Sequence, residues 1–146
     1  MADTIFYDSV TPSLIPGPNA CLYYDGEFAA SASQAKRFKA VRWITVLGNW
    51  QECGIADFEA GNPVYGQPGK LREWVQGRAN MGARARVYCD RSNIPLVQEE
   101  LTGLSWLWWI GTLDGDKLSP SYLPGMWGVQ YTGNNRFDVS VLYGEW

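Results

Sequence analysis

Eight short β-type runs, joined mostly by connections too short for a helix, are what most constrains this chain. They are residues 4–7 (TIFY), 20–24 (ACLYY), 41–47 (VRWITVL), 53–58 (CGIADF), 84–89 (RARVYC), 105–110 (SWLWWI), 127–132 (WGVQYT) and 137–142 (FDVSVL). Several are almost continuously apolar, as expected of strands covered on both faces. Helical spacing appears over 68–81, where Leu71, Trp74, Val75 and Arg78 recur at three and four residues and Gly82 follows as a stop. Residues 95–101 open on a proline suited to a first turn, and 31–38 form a weaker two-turn candidate. Strands alternating with helices predict an α/β fold with a parallel sheet and right-handed crossovers. Eight strands predict a closed barrel. A full (β/α)8 barrel takes about 250 residues, so 146 residues predict a shortened TIM-like barrel that has lost several helices. No internal repeat or linker divides the chain, and residues 1–146 are expected to form a single domain.

Composition removes whole classes of chemistry. There is no histidine, which excludes Ser-His-Asp and Cys-His nucleophile systems and histidine-based zinc sites. Twelve basic against 15 acidic residues give a net charge of −3, without the basic footprint of a nucleic-acid or anionic-membrane partner. Cys21, Cys53 and Cys89 are odd in number and form no CxxC pair, and they read as buried free thiols in a reduced protein. The first residues lack the basic and apolar segments of a secretory signal, and no apolar stretch approaches the roughly 20 residues of a membrane span.

Acidic residues fall repeatedly at the C-terminal ends of the predicted strands: Asp8, Asp25, Asp57 with Glu59, Asp90, and Asp114 just beyond the sixth. Ligand sites of α/β sheets and barrels form at that edge. Asp138 is the exception, lying inside the last run. In Asp57-Phe58-Glu59 the alternation of a strand projects both acids to one side, with Cα atoms about 6.6 Å apart. Two carboxylates so close repel, so one keeps its proton to higher pH. A protonated acid beside an ionised partner is what glycosidic cleavage requires. The same residues also suit a pair of surface acids, or a calcium or magnesium site built from Asp8, Asp57 and Glu59.

The 21 aromatic residues are mostly assigned to the core, but Trp109 and Trp127, near the predicted sixth and seventh strand ends, are candidates for stacking on sugar rings. Tyr88 and Tyr131 are hydrogen-bonding candidates beside the acids. Gln130 is polar inside an apolar run and therefore requires a partner.

Taken in order, Tyr7-Asp8-Ser9, Asp57-Phe58-Glu59, VYCDRS, WLWWI and a late W-x-V-Q-Y-T followed by Asp138 resemble the family 25 glycoside hydrolases, the Chalaropsis-type lysozymes. The segments ITVLGNWQECGIADFEAG and GVQYTGNNRFDVSV are most similar to the glycoside-hydrolase-like domains of actinobacteria and their phages. The resemblance implies a modified barrel that cleaves the bond between N-acetylmuramic acid and N-acetylglucosamine in peptidoglycan, without cofactor or resident metal. By position, Glu59 would be the catalytic acid and Asp57 its partner, attacking directly or assisting the substrate's N-acetyl group. Asp8 would orient the reacting sugar. Asp25, Tyr88, Trp109, Trp127, Gln130 and Asp138 would contact substrate, Asp138 in a flanking or structural capacity. Glycan strands are the expected partner, with other phage virion proteins a further one, and the expected location is the host cytoplasm or a virion acting on the cell wall. Two other classes compete: a non-catalytic virion or wall-binding protein on the same scaffold, and a divalent-metal hydrolase using the three acids.

Overall fold

A computed structural model describes residues 3–146. Its strands are β1 (Thr4–Asp8), β2 (Asn19–Tyr23), β3 (Ala40–Thr45), β4 (Ile55–Asp57), β5 (Arg86–Asp90), β6 (Leu107–Gly111), β7 (Met126–Gly133) and β8 (Asp138–Leu142). They pair in sequence order and close into a barrel. All eight anticipated runs are strands, trimmed, extended or shifted by one or two residues at their ends.

From β1 to β7 every pairing is parallel, but β8 runs antiparallel to both β7 and β1. This corrects the expectation of a parallel sheet throughout. Parallel neighbours need a crossover of a dozen or more residues, and only 134–137 separate β7 from β8. There the Asn134 side-chain oxygen accepts the backbone N–H groups of Arg136 and Phe137, which sets a tight turn.

Helices cover the barrel unevenly. The short α1 (Ala32–Ala35) is held by a capping box between Ser31 and Gln34. A helix not anticipated from the sequence, α2 (Pro63–Gly66), precedes α3 (Lys70–Asn80) in the β4–β5 crossover, and α4 (Ile94–Glu100) fills the next. The periodic residues of α3, Leu71, Trp74 and Val75, are buried against the outer faces of β4 to β7. Gly82, at φ 67°, ends that segment as expected. Among the described residues no helix bridges β3–β4 or β6–β7, so the barrel is shortened by replacing crossover helices with loops. Among the described residues no helix is long and apolar enough to cross a membrane.

Aromatic rings fill the interior. Phe6 is fully buried, with ring centroids 5.4 Å from Trp109, 4.9 Å from Trp127 and 5.4 Å from Trp146. Tyr88 and Trp109 meet edge-on at 4.8 Å. These separations suit tilted and edge-to-face packing of aromatic quadrupoles. Gly128 makes the arrangement possible, since a β-carbon there would lie 3.1 Å from the Phe6 ring. Cys21, Cys53 and Cys89 are buried free thiols.

Because Phe6 touches three other rings, Phe6→Ala should leave a cavity that its neighbours cannot fill. The expected cost is about 3–5 kcal/mol, read as a lower urea midpoint at unchanged slope; a loss below about 1 kcal/mol would show that the interior collapses around the gap.

Candidate active site

Parallel strands bring their C-terminal ends to one mouth of the barrel, and the reversal of β8 brings its first residue to the same mouth. Asp8 ends β1 and Asp138 begins β8, and the two are direct cross-strand partners. With Asp57 and Glu59 from the end of β4 they line a cavity of about 110 Å³. Tyr23, Ile44, Tyr88, Trp109, Leu113 and Gln130 complete its wall. Phe58 turns the other way, into the outer core, so the alternation expected across 57–59 is present.

Gln130 organises the floor. Its side-chain oxygen accepts the Tyr88 hydroxyl at 2.7 Å, which turns its amide nitrogen toward the acids. That nitrogen donates to both oxygens of Asp8, at 3.0 and 3.1 Å, and to Asp138 at 3.4 Å. A polar residue in an apolar strand thus has its partners, one of them an acid. Gly111 keeps the Tyr88 hydroxyl in place, because a β-carbon there would run into it. Trp109 is buried beneath, its indole N–H donating to Ser140 at 3.0 Å.

Burial dominates the electrostatics. Desolvation raises Asp8 to about 7, against the pull of the Gln130 hydrogen bond, with Asp138 and Glu59 adding repulsion. Asp57 is raised well above the usual carboxylate range, first by burial and then by the adjacent Glu59. The Tyr23 hydroxyl donates to one Asp57 oxygen at 3.1 Å, while the other is buried without a partner. Asp138 is raised by burial and by Glu59. Asp57 is the buried member of the pair, whereas Glu59 is half-buried at the cavity wall.

Other expected residues fall elsewhere. Asp25 is absent from this cavity and lines an adjoining groove of about 400 Å³, shared with Tyr23, Phe28, Asp57 and Glu59. Its carboxylate accepts from the Thr45 hydroxyl at 2.6 Å and the Val46 N–H at 2.7 Å, fixing the turn after β3. Trp127 is a correction. It stands at the start of β7, hence toward the opposite mouth, fully buried, with its indole N–H donating to the Glu145 carbonyl. Tyr131 is only partly buried and belongs to the outer layer. Asp90 caps the turn after β5 through the Ser92 N–H, and Asp114 pairs with Arg91 at 2.6 Å on the surface. Among the described residues no three His, Cys, Asp or Glu side chains are grouped to hold a metal ion, so Asp8, Asp57 and Glu59 do not form the oxygen-ligand set of the metal-hydrolase alternative.

Three contributors, Tyr23, Ile44 and Leu113, escaped the sequence reading. Tyr23 shares the inward face of β2 with Cys21, a placement that period-two alternation could have flagged. Leu113 reaches the cavity from a loop at φ 55°, an uncommon region for a branched residue, and nothing in the sequence announces it.

Neither a protein-family model nor a curated protein sequence matches this chain. Among solved structures it is similar to the modular Cpl-1 endolysin, which was crystallised with a peptidoglycan analogue, a tetrasaccharide-pentapeptide. The TM-score is 0.57 at 13% identity, over 96% of this chain and 54% of the endolysin chain. The chain thus spans about half the length of that protein. The likeness bears on the fold, and it agrees with the shortened TIM-like barrel expected from the sequence.

The Asp8 shift has a consequence for stability. Folding keeps a proton on Asp8 that the unfolded chain releases near pH ~4, so from there to about 7 the unfolded state binds fewer protons. Stability contributed at this site therefore falls as pH rises through that window and levels off above it. Asp8→Asn keeps the shape and removes the ionisation. Its melting midpoint should exceed that of the wild type by about 5 °C at pH 8 and approach it at pH 4; an equal offset at both would show that ionisation is not the cause.

Proposed function

We propose that the chain is a peptidoglycan glycosidase of the family 25 type, closest to the glycoside-hydrolase-like domains of actinobacteria and their phages. One observation carries the reading: Asp57 and Glu59 line both the deep cavity and the adjoining groove, and Asp8 shares the cavity. Two carboxyls so placed hold a proton between them, and their titration belongs to the pair. One protonates the departing glycosidic oxygen while the other stabilises the cationic ring carbon or activates what attacks it. Burial holds the Asp57 carboxyl well above the usual carboxylate range, which favours its protonated form. Glu59, at the wall between cavity and groove, is the acid that faces a sugar bound in the groove.

Asp8, raised to about 7 and so still largely protonated at mildly acidic pH, is a hydrogen-bond donor to the reacting sugar there, positioned by Gln130 and Tyr88. Asp138 flanks it, Trp109 forms the floor and Asp25 shapes the groove. Glycan strands of the cell wall are the substrate, and the protein belongs to one domain that acts from a phage lysin or a virion in company with other virion proteins. The likeness to an endolysin fold supports the glycan-strand substrate, as does the resemblance of the acid motifs.

A second reading is favoured by the size of the cavity, about 110 Å³, against the 300 Å³ or more of common ligand pockets. It makes the barrel a non-catalytic wall-binding or virion protein.

Purified protein incubated with actinobacterial cell wall should release new reducing ends. Glu59→Gln and Asp57→Asn should each lower the rate at least ~100-fold without lowering the melting midpoint. Sedimentation with cell wall and no reducing ends would select the second reading, and undiminished activity in both variants would refute the acid pair.

A further inference from the structure

Two residues of the loop after β6 hold a backbone conformation that their side chains disfavour. Leu113, at φ 55°, and Leu118, at φ 53°, are left-handed. Every other left-handed residue among the described ones is a glycine, Gly115 in the same loop included. In that region a β-carbon crowds the following carbonyl oxygen, a penalty that glycine escapes. Leu118 has a packing reason to be a leucine, since it is partly buried against the outer core. Leu113 has none of that kind: its side chain is 54% exposed and lines the cavity of the acids.

The loop is clamped in this shape. The main-chain oxygen of Gln130 accepts the N–H groups of Thr112 and Leu113, at 2.9 and 3.2 Å, which anchors the loop to the residue whose side chain holds Asp8. The Asp114 carboxylate accepts the Asp116 N–H at 3.0 Å, and that of Asp116 accepts the Leu118 N–H at 2.9 Å. Arg91, just past β5, bridges both carboxylates at 2.6 and 3.1 Å. Strain of this sort persists only where its surroundings over-determine it, and it collects at ligand clamps.

The other aliphatic and indole side chains of the cavity, Ile44 and Trp109, are 2% and 1% exposed and belong to its floor. Leu113 is therefore the exposed apolar group in a lining otherwise made of carboxyls, tyrosines and an amide. We propose that Leu113 contacts the substrate and sets its specificity, covering the acyl methyl group of an N-acylated amino sugar bound at the acids. The inference rests on the reading of this mouth as a glycan site, whether or not it turns the glycan over. A flat sugar face is matched by an aromatic ring, whereas one branched aliphatic group at the edge of a polar hollow matches a methyl. A protonated amine in place of the acyl group would be drawn to the carboxylates and would gain nothing from Leu113.

The test is calorimetric titration of the intact chain with tetra-N-acetylchitotetraose and with its free-amine counterpart at constant ionic strength. Leu113→Gly removes the side chain and suits the backbone. It should weaken binding of the acylated sugar at least ~5-fold and leave the melting midpoint at or above that of the wild type. Binding of the free-amine sugar should be absent, or change by less than ~2-fold. Leu113→Met keeps an apolar side chain and should retain the affinity for the acylated sugar within ~2-fold. The proposal is overturned by a lowered midpoint in Leu113→Gly, by unchanged affinity for the acylated sugar, by an equal loss for both sugars, or by no saturation of the wild type up to about 20 mM. Unchanged affinity with reducing ends still released from cell wall would sink Leu113 alone and leave the glycosidase reading standing. The expected losses without any release would keep Leu113 and select the non-catalytic reading.

Discussion

Closing eight strands in so short a chain depends on the last strand running backwards. A parallel β8 would have required a further crossover from β7, whereas the reversed strand needs only a turn and still satisfies the open edges of both β7 and β1. The reversal also decides the composition of the mouth. Had β8 run parallel, Asp138 would stand at the opposite end; as it is, Asp138 faces Asp8 directly. Ser140 pairs with both Phe6 and Gln130, below the acids, where it receives the Trp109 indole. One topological saving thus delivers an acid to the site and a hydrogen-bond acceptor to its floor.

The two charged ends are kept apart by the aromatic interior. Phe6, Trp109 and Trp127 occupy the volume between the acid mouth and the opposite mouth, where Arg42, Arg78, Arg84 and Arg86 line one hollow, so neither cluster neutralises the other. A low-dielectric plug magnifies both effects, raising the carboxyls above and lowering the Arg86 guanidinium below. Gln130 lets the upper cluster persist. With its oxygen committed to Tyr88, its nitrogen offers the acids a donor that cannot be withdrawn by an amide flip without stranding the Tyr88 hydroxyl.

The barrel was legible in the sequence because strand count and length left few alternatives, and because apolar runs register burial on both faces. Asp8, Asp57 and Glu59 were legible for a related reason: the C-terminal edge of a parallel strand is a definite place. That logic holds only while strands run the same way. Asp138 looked misplaced inside its run because the turn at 134–137 gives no direct sign of the reversal it causes. Trp127 was misplaced for the converse reason, since a tryptophan at the head of a strand reads like one at its tail unless direction is known. The boundary of β4 mattered less, because Phe58 and Glu59 continue the alternation beyond the paired residues. The placing of Leu113 depends on loop path and tertiary approach, which no local pattern encodes.

A barrel retained only as scaffold would be easier to hold together without its acids. Asn at position 8 could occupy the same space beside Gln130 with no ionisation to suppress, and a hydrophobic residue at 57 would remove a buried oxygen that has no partner. Each raised carboxyl marks a free-energy cost borne by the fold at neutral pH. Three of them, Asp8, Asp57 and Asp138, share one small cavity. Costs of that kind concentrate where a proton must be held for use, and structural ion-pair networks, the usual competing cause of such shifts, are absent here, since no cation lines the cavity. The acid mouth is therefore a place where the fold bears an electrostatic cost that no lining cation offsets.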